Sequence, residues 1–104
     1  MSTASGDENG GFRLEESGAR WISTTAITFA NAARVLEQSH DLPLPSGGVV
    51  DCVNLHPVDS AAVAVLLALK RRAIAEGRPI TFANITPSLH TLADLYGVEE
   101  LLIG

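Results

Sequence analysis

The chain has 104 residues and a formal net charge of -5, with 46% apolar and 18% charged residues. This length suits one domain with one core, and the apolar content excludes a disordered chain. The excess of twelve acidic over seven basic residues argues against a general nucleic-acid binder, which needs a basic surface. Because soluble domains average roughly 25% charged residues, the low charged fraction indicates an uncharged surface and hence a protein partner.

Targeting and redox signals place the chain in the cytoplasm. The single cysteine, Cys52, rules out an internal disulfide and fits a reducing compartment. Residues 1–11 are polar and lack the cationic start and apolar centre of a signal peptide, so they predict a disordered tail before one domain over residues 12–104. The longest apolar run, residues 61–69, is shorter than the ~20 residues that span a bilayer, which argues against direct membrane insertion.

The first half of the chain predicts a hairpin followed by a helix. Residues 12–16 and 19–22 are typical of two short strands joined by a turn at Ser17–Gly18. Ser23, Thr24 and Thr25 are N-cap candidates, and the apolar spacing after them predicts a helix from about Thr25 to Ser39. Proline and glycine then mark residues 41–48 as a loop.

The second half alternates strands and helices. Residues 49–53 predict a buried strand, and a helix capped by Asp59 or Ser60 follows to about Glu76. Residues 80–83 predict another strand. A third helix is expected from Pro87, capped by Thr86, to Gly97, and residues 101–103 predict a short edge strand. Strands separated by helices pair in parallel, so the fold class is α/β.

The helix after Asp59 has an unusually wide apolar surface. At 100° per residue, Val63, Val65, Leu66, Leu67 and Leu69 cover about 200° of its circumference, whereas a helix on one core needs roughly 100°. We therefore expect Leu66 to face the sheet and the two flanks, Val65/Leu69 and Val63/Leu67, not to lie deep in the core together. Either this helix is a well-buried central helix, or its amino-terminal half also packs against another protein.

Basic residues cluster at the end of the same helix. Lys70, Arg71 and Arg72 lie in its last turns and Arg78 lies just beyond. Basic side chains at a helix C-terminus complement the helix dipole. A cationic patch for an acidic protein or an anionic lipid is the alternative.

Asp59 and Ser60 lie where a strand leads into a helix N-terminus. The simplest role for them is capping of free backbone N–H groups, and the same geometry would stabilise a phosphate bound to Ser60. A nucleophilic role for Ser60 is disfavoured, because no Gly-x-Ser-x-Gly elbow is present and nothing assigns it a base.

The sequence predicts neither a metal site nor a cofactor. The histidines His40, His56 and His90 lack metal-ligand spacing. Neither G-x-x-x-x-G-K nor G-x-G-x-x-G occurs, so no glycine-rich phosphate loop is expected.

A known family shares several of these motifs. Residues 51–60, DCVNLHPVDS, resemble the D-L-S-x-V-x-x-V-D-S signature of STAS domains, the sulfate-transporter and anti-sigma-factor-antagonist modules. The resemblance continues through residues 77–80 (GRPI), 82–85 (FANI) and 92–98 (LADLYGV). The last two motifs look most like the MlaB-type cytoplasmic subunits of the bacterial Mla phospholipid ABC transporter. The resemblance is good from Val49 to Leu102 and weak before it.

The resemblance implies a function through contacts with other proteins. It implies the STAS fold, a mixed and mostly parallel sheet flanked by helices, with no catalysis and no cofactor. MlaB-type subunits dock on the transporter's ATPase subunit, and through it on the membrane permease, so the chain would lie peripheral to the inner membrane. Their docking face is the Asp-Ser/Thr loop and the helix after it. By position this face carries over to Asp59, Ser60, Ala61, Val63, Ala64 and Leu67. His56 is added to the predicted docking residues because it borders the Asp59 loop, although an ordinary loop histidine is the alternative.

Another branch of the family offers an alternative function. Anti-sigma antagonists carry D-S-S-G, in which the second serine is phosphorylated, and this position is Ala61 here. The phosphoswitch is therefore disfavoured, although Ser60 remains a candidate phosphorylation site. An antagonist-type regulator switched by serine phosphorylation is the alternative, and a small hydrolase using Ser60 is the third hypothesis. A homodimer of the isolated chain through the same helix is left open.

Overall fold

A computed structural model describes residues 11–102. They form one sheet with the strand order β1-β2-β3-β4. The strands are β1 (Phe12–Leu14), β2 (Arg20–Ser23), β3 (Val49–Asp51) and β4 (Thr81–Ala83). The helices are α1 (Ala32–Ser39), α2 (Ser60–Ala75), α3 (Pro87–Leu95) and α4 (Glu99–Leu102). The disordered tail predicted for residues 1–11 lies, up to residue 10, outside the described residues.

The sheet is mixed and mostly parallel. Strand β1 pairs with β2 antiparallel, whereas β2 with β3 and β3 with β4 are parallel. In this register Trp21, Val50 and Phe82 lie side by side on three neighbouring strands. Helix α1 connects β2 to β3, and α2 connects β3 to β4. The predicted α/β fold class, a mostly parallel sheet flanked by helices, is confirmed.

Helix α2 is more deeply buried than its sequence predicts. Val63, Val65, Leu66 and Leu69 are each no more than 4% exposed, whereas Leu67 is half-buried. The expectation that the two flanks cannot both lie deep in the core is therefore wrong for every flank residue except Leu67. The reason is that α2 contacts α1, α3 and α4, while its buried side chains also join those of the strands in one core. Several neighbours together cover a wider arc than one sheet does. These side chains therefore have the burial expected of a central helix.

Helix α1 begins later than predicted, at Ala32 rather than at about Thr25. Ile27 is fully buried and forms an isolated parallel bridge with Val58, so the preceding segment follows the β3–α2 loop instead. The Asn31 side chain then shapes a turn, because its oxygen accepts the Thr28 N–H (2.9 Å) and its amide donates to the Ala26 carbonyl (2.9 Å). Apolar spacing alone does not distinguish this bridge from a first helical turn.

The predicted edge strand over residues 101–103 is also wrong for the described residues. Leu101 and Leu102 belong to α4, where their N–H groups donate to the Val98 carbonyl. Leu102 is buried in the core, which favours a helical turn that directs its side chain inward. Ile103 lies outside the described residues.

Candidate docking surface

The loop from β3 to α2 is fixed at its start by a buried carboxylate. Asp51 is 4% exposed, and its Oδ1 accepts hydrogen bonds from the Val53 N–H (2.9 Å) and the Asn84 side-chain amide (2.9 Å). The Arg20 guanidinium lies 3.6 Å from its other oxygen. Buried charges need such partners, so Asp51, the last residue of β3, links Arg20 at the start of β2 to Asn84 just after β4.

A second contact ties the same loop to β2. The Asn54 backbone N–H donates to Ser23 Oγ (2.8 Å), and the Asn54 side-chain amide donates to the Ser23 carbonyl (3.0 Å). Ser23 is fully buried. The loop therefore reaches α2 with its backbone held at several points.

Asp59 ends this loop and caps α2. It has an extended backbone, and its Oδ1 accepts the Ala61 N–H at 2.8 Å, as capping predicts. Its Oδ2 accepts a second hydrogen bond, from the Phe29 backbone N–H at 3.0 Å. Asp59 thus connects the start of α2 to the segment before α1.

An apolar groove lies beside this connection, between α1 and the amino-terminal half of α2. Its volume is about 250 Å³. It is lined only by apolar residues, which are Phe29, Ala32, Ala33, Leu36, Ala61, Ala64 and Val65. Phe29 is 76% exposed at this groove, although most phenylalanine side chains are buried. We call these seven residues the α1–α2 groove.

The structure brings some of the predicted docking residues together and separates others. Ala61 and Ala64 line the α1–α2 groove, and the half-buried Asp59 and Ser60 lie at the adjoining end of α2. Val63 belongs to the core, and the half-buried Leu67 packs against it. The side chain of Val63 is therefore not exposed for the docking role expected of it, because neighbouring elements cover this side chain. His56 is exposed in the β3–α2 loop.

Sequence reasoning missed the contribution of α1 to this groove. Ala32, Ala33 and Leu36 line it from α1, and Phe29 lies just before that helix. The predicted helix from about Thr25 included Phe29, so Phe29 was not distinguished from the other residues of that helix. The aromatic side chain in an otherwise small-residue segment was the available signal.

The basic residues near the end of α2 are divided between the fold and the solvent. Lys70 Nζ donates to the Ile80 carbonyl (3.0 Å) and lies 5.5 Å from the Phe82 ring centre. Arg72 donates to the carbonyls of Ser39 (3.0 Å) and Leu42 (2.8 Å). These contacts take two of the four basic side chains out of any cationic patch.

Arg72 makes two further contacts within the fold. It pairs with Glu76 at 2.9 Å and lies 5.9 Å from the Trp21 ring centre. Arg71 and Arg78, in contrast, are exposed.

The Cys52 thiol and the metal-ligating side chain types form no reactive or metal-binding site among the described residues. Burial raises the pKa of the Cys52 thiol to about 12, with the Asp51 charge as a second cause, so the thiol stays protonated and unreactive. Among residues 11–102, no group of three or more His, Cys, Asp or Glu side chains is placed to hold a metal ion. No helix in the same range is long and apolar enough to cross a bilayer.

Comparison with known proteins identifies the family. No curated protein matches the chain significantly. A family model described as "Mlab, STAS domain" matches residues 24–104, which include the β3–α2 loop, the α1–α2 groove and all four helices of the described structure. The chain therefore belongs to the family of STAS domains of the MlaB type.

Proposed function

We propose that the protein docks on the ATPase subunit of a phospholipid-transport ABC transporter and supports the assembly and activity of that transporter. Membership of the STAS family supports a protein-interaction module without catalysis. Through this partner the protein would lie on the cytoplasmic side of the inner membrane, next to the permease. The single observation that carries the proposal is the α1–α2 groove beside Asp59 and Ser60.

The groove has the physical character of a binding surface. When a partner covers an exposed phenylalanine next to an uncharged depression, removal of its apolar surface from water stabilises the complex by roughly 25 cal/mol per Å². Aromatic side chains beside such pockets often supply most of the binding energy of an interface. A volume of about 250 Å³ is suited to one large apolar side chain of the partner. The groove also explains how a small domain with few charges uses its uncharged surface.

The geometry also supports a non-catalytic role for Ser60. The only carboxylate next to it in sequence, Asp59, already accepts backbone N–H groups on both oxygens. It is therefore poorly placed to act as a base, which a serine nucleophile needs. The residue after Ser60, Ala61, is an alanine of the groove, so the D-S-S-G phosphoswitch lacks its serine.

Co-purification with the ATPase subunit tests the proposal, with Ser60→Glu as the variant. A glutamate at the first position of a helix interacts favourably with the helix dipole, so the fold should tolerate the change. The added negative charge would then lie in the docking interface. We expect the complex to be lost. Ser88→Glu is the matched control, because Ser88 is an exposed serine in the first turn of α3.

The result separates the candidate functions. Equal binding by wild type and Ser60→Glu would place the docking face elsewhere. Absence of binding by the wild type, together with phosphate incorporation at Ser60 by a kinase, would favour the anti-sigma antagonist. Covalent labelling of Ser60 by a serine-reactive probe would favour a hydrolase.

A further inference from the structure

We infer that Asp59 is a positioning residue for docking: it holds Phe29 at the edge of the α1–α2 groove, and Phe29, not Asp59, contacts the partner. This inference rests on the proposed function and assigns separate roles within the same surface. It replaces the contact role expected for Asp59.

The first support is the double use of the Asp59 carboxylate. Capping a helix requires one side-chain oxygen, which here accepts the Ala61 N–H. The second oxygen accepts the N–H of Phe29, thirty residues earlier in the chain. With both oxygens engaged by backbone donors, the carboxylate is poorly placed to make a new ion pair with a partner.

The second support is the way in which the segment before α1 is fastened. Ile27 bridges to Val58, and two residues later Phe29 is bound by Asp59, the residue after Val58. The Ala30 N–H also donates to Thr28 Oγ1 (3.3 Å), which tightens the turn after the bridge. The Phe29 backbone N–H is therefore hydrogen-bonded to the start of α2, while the residue as a whole stays 76% exposed.

A fixed backbone beneath an exposed ring favours binding. A side chain that is already placed loses less conformational freedom when a partner covers it, and this preorganisation improves affinity without a new contact. Phenylalanine has only two side-chain torsions, so a fixed backbone limits the ring to a few rotameric positions. Asp59 holds that backbone through one hydrogen bond.

The groove defines the chemistry of the partner group. All of its lining residues are apolar, and Ala33, Ala61 and Ala64 leave room for a close approach of the partner's backbone. An uncharged, bulky side chain of the ATPase subunit therefore fits the space beside Phe29. A charged side chain would lose its hydration there without finding a counter-ion.

The inference is tested by a double-mutant cycle on ATPase-subunit binding, using Phe29→Ala and Asp59→Asn. Asparagine caps helices as well as aspartate does, but its single oxygen cannot serve both N–H groups. We expect Phe29→Ala to weaken binding ~10-fold or more, and Asp59→Asn to weaken it about 2- to 10-fold. The double variant should bind no more weakly than Phe29→Ala alone, because Asp59 acts through Phe29.

Two controls accompany the cycle. Asp94→Asn removes one negative charge from an exposed position of α3 and should leave binding unchanged. Amide hydrogen exchange of free Asp59→Asn should show faster exchange at Phe29, because the hydrogen bond to the second carboxylate oxygen is lost.

The outcomes distinguish failure of the Asp59 role from failure of the proposed function. If wild type binds and the two effects multiply, Asp59 contacts the partner itself and the inference is wrong. If Asp59→Asn binds as wild type does, the inference is also wrong. If wild type does not bind the ATPase subunit, the proposed function fails, whereas slow exchange at Phe29 in wild type would still show the hydrogen bond.

Discussion

The two halves of helix α2 use their side chains in opposite ways. From Ser60 to Leu69 the helix has no charged residue, and its large apolar side chains point into the core while Ala64 remains exposed. From Lys70 to Arg72 the helix carries three consecutive basic residues. The side chains of Lys70 and Arg72 donate hydrogen bonds to backbone carbonyls of the same domain. Charge in the sequence therefore does not mark the proposed docking surface. Exposed small residues beside Phe29 form part of it instead.

The carbonyls that Arg72 binds explain why a basic residue is turned inward. Ser39 is the last residue of α1, and the final carbonyls of a helix have no partner within it. The Ser39 carbonyl accepts the Leu42 N–H from outside the helix (3.1 Å), and Arg72 adds charge-assisted hydrogen bonds to it and to the Leu42 carbonyl. The basic residues Lys70 and Arg72 thus stabilise the fold, whereas the amino-terminal half of α2 supplies both core side chains and the exposed Ala64.

The largest effect on stability is expected inside the uncharged half. Leu66→Ala should lower the free energy of unfolding by about 3 kcal/mol, because Leu66 is fully buried and the change leaves a cavity. Leu67→Ala, next to it but half-buried, should cost clearly less. Urea denaturation of both variants measures the difference. Equal losses would contradict the inward direction of Leu66.

A smaller loss of stability is expected from a substitution in the basic, carboxyl-terminal half of α2. Arg72→Ala should lower the free energy of unfolding by about 2 kcal/mol, since two backbone carbonyls lose a charged donor. The control is Arg71→Ala, which is exposed and should change stability by less than about 0.5 kcal/mol. If both substitutions lower the free energy of unfolding equally, the Arg72 side chain has no special structural role.

The pH dependence of Cys52 gives a third effect, at the start of the loop that leads to α2. The pKa is raised from 9.0 to about 12 on folding, so above pH 9 the unfolded chain releases a proton that the folded chain retains. Stability should therefore be unaffected by this group below pH 9 and fall as the pH rises toward about 12, by about 1 kcal/mol at pH 10.

Two measurements check this thiol. The stability of Cys52→Ala should fall less steeply between pH 9 and pH 10 than that of wild type. Thiol labelling at pH 8 should be blocked in the folded protein and complete in urea. Rapid labelling of the folded protein would show that the thiol is accessible.

The smallest effect on stability is expected at the exposed position of the uncharged half. Ala64→Arg should change the free energy of unfolding by less than about 0.5 kcal/mol, because Ala64 is exposed and arginine is a good helix former. In the α1–α2 groove the same change should abolish co-purification with the ATPase subunit. Unchanged co-purification would move the docking surface away from α2.

The sequence by itself determined the family, the α/β class and most local boundaries. The Asp59 cap and the start of α2 follow from local chemistry, as does α3, where Thr86 Oγ1 accepts the Leu89 N–H (3.3 Å) after Pro87. Such signals act over a few residues, so they can be read without the rest of the molecule. The STAS motifs are local in the same sense.

Only the tertiary structure decided what the surface looks like. The late start of α1 depends on the bridge from Ile27 to Val58, and the position of Phe29 depends on Asp59, thirty residues away. The burial of both flanks of α2 depends on three other helices. Periodicity shows which residues are apolar, but exposure depends on which distant segments cover them, and this is why the groove became visible only in the folded chain.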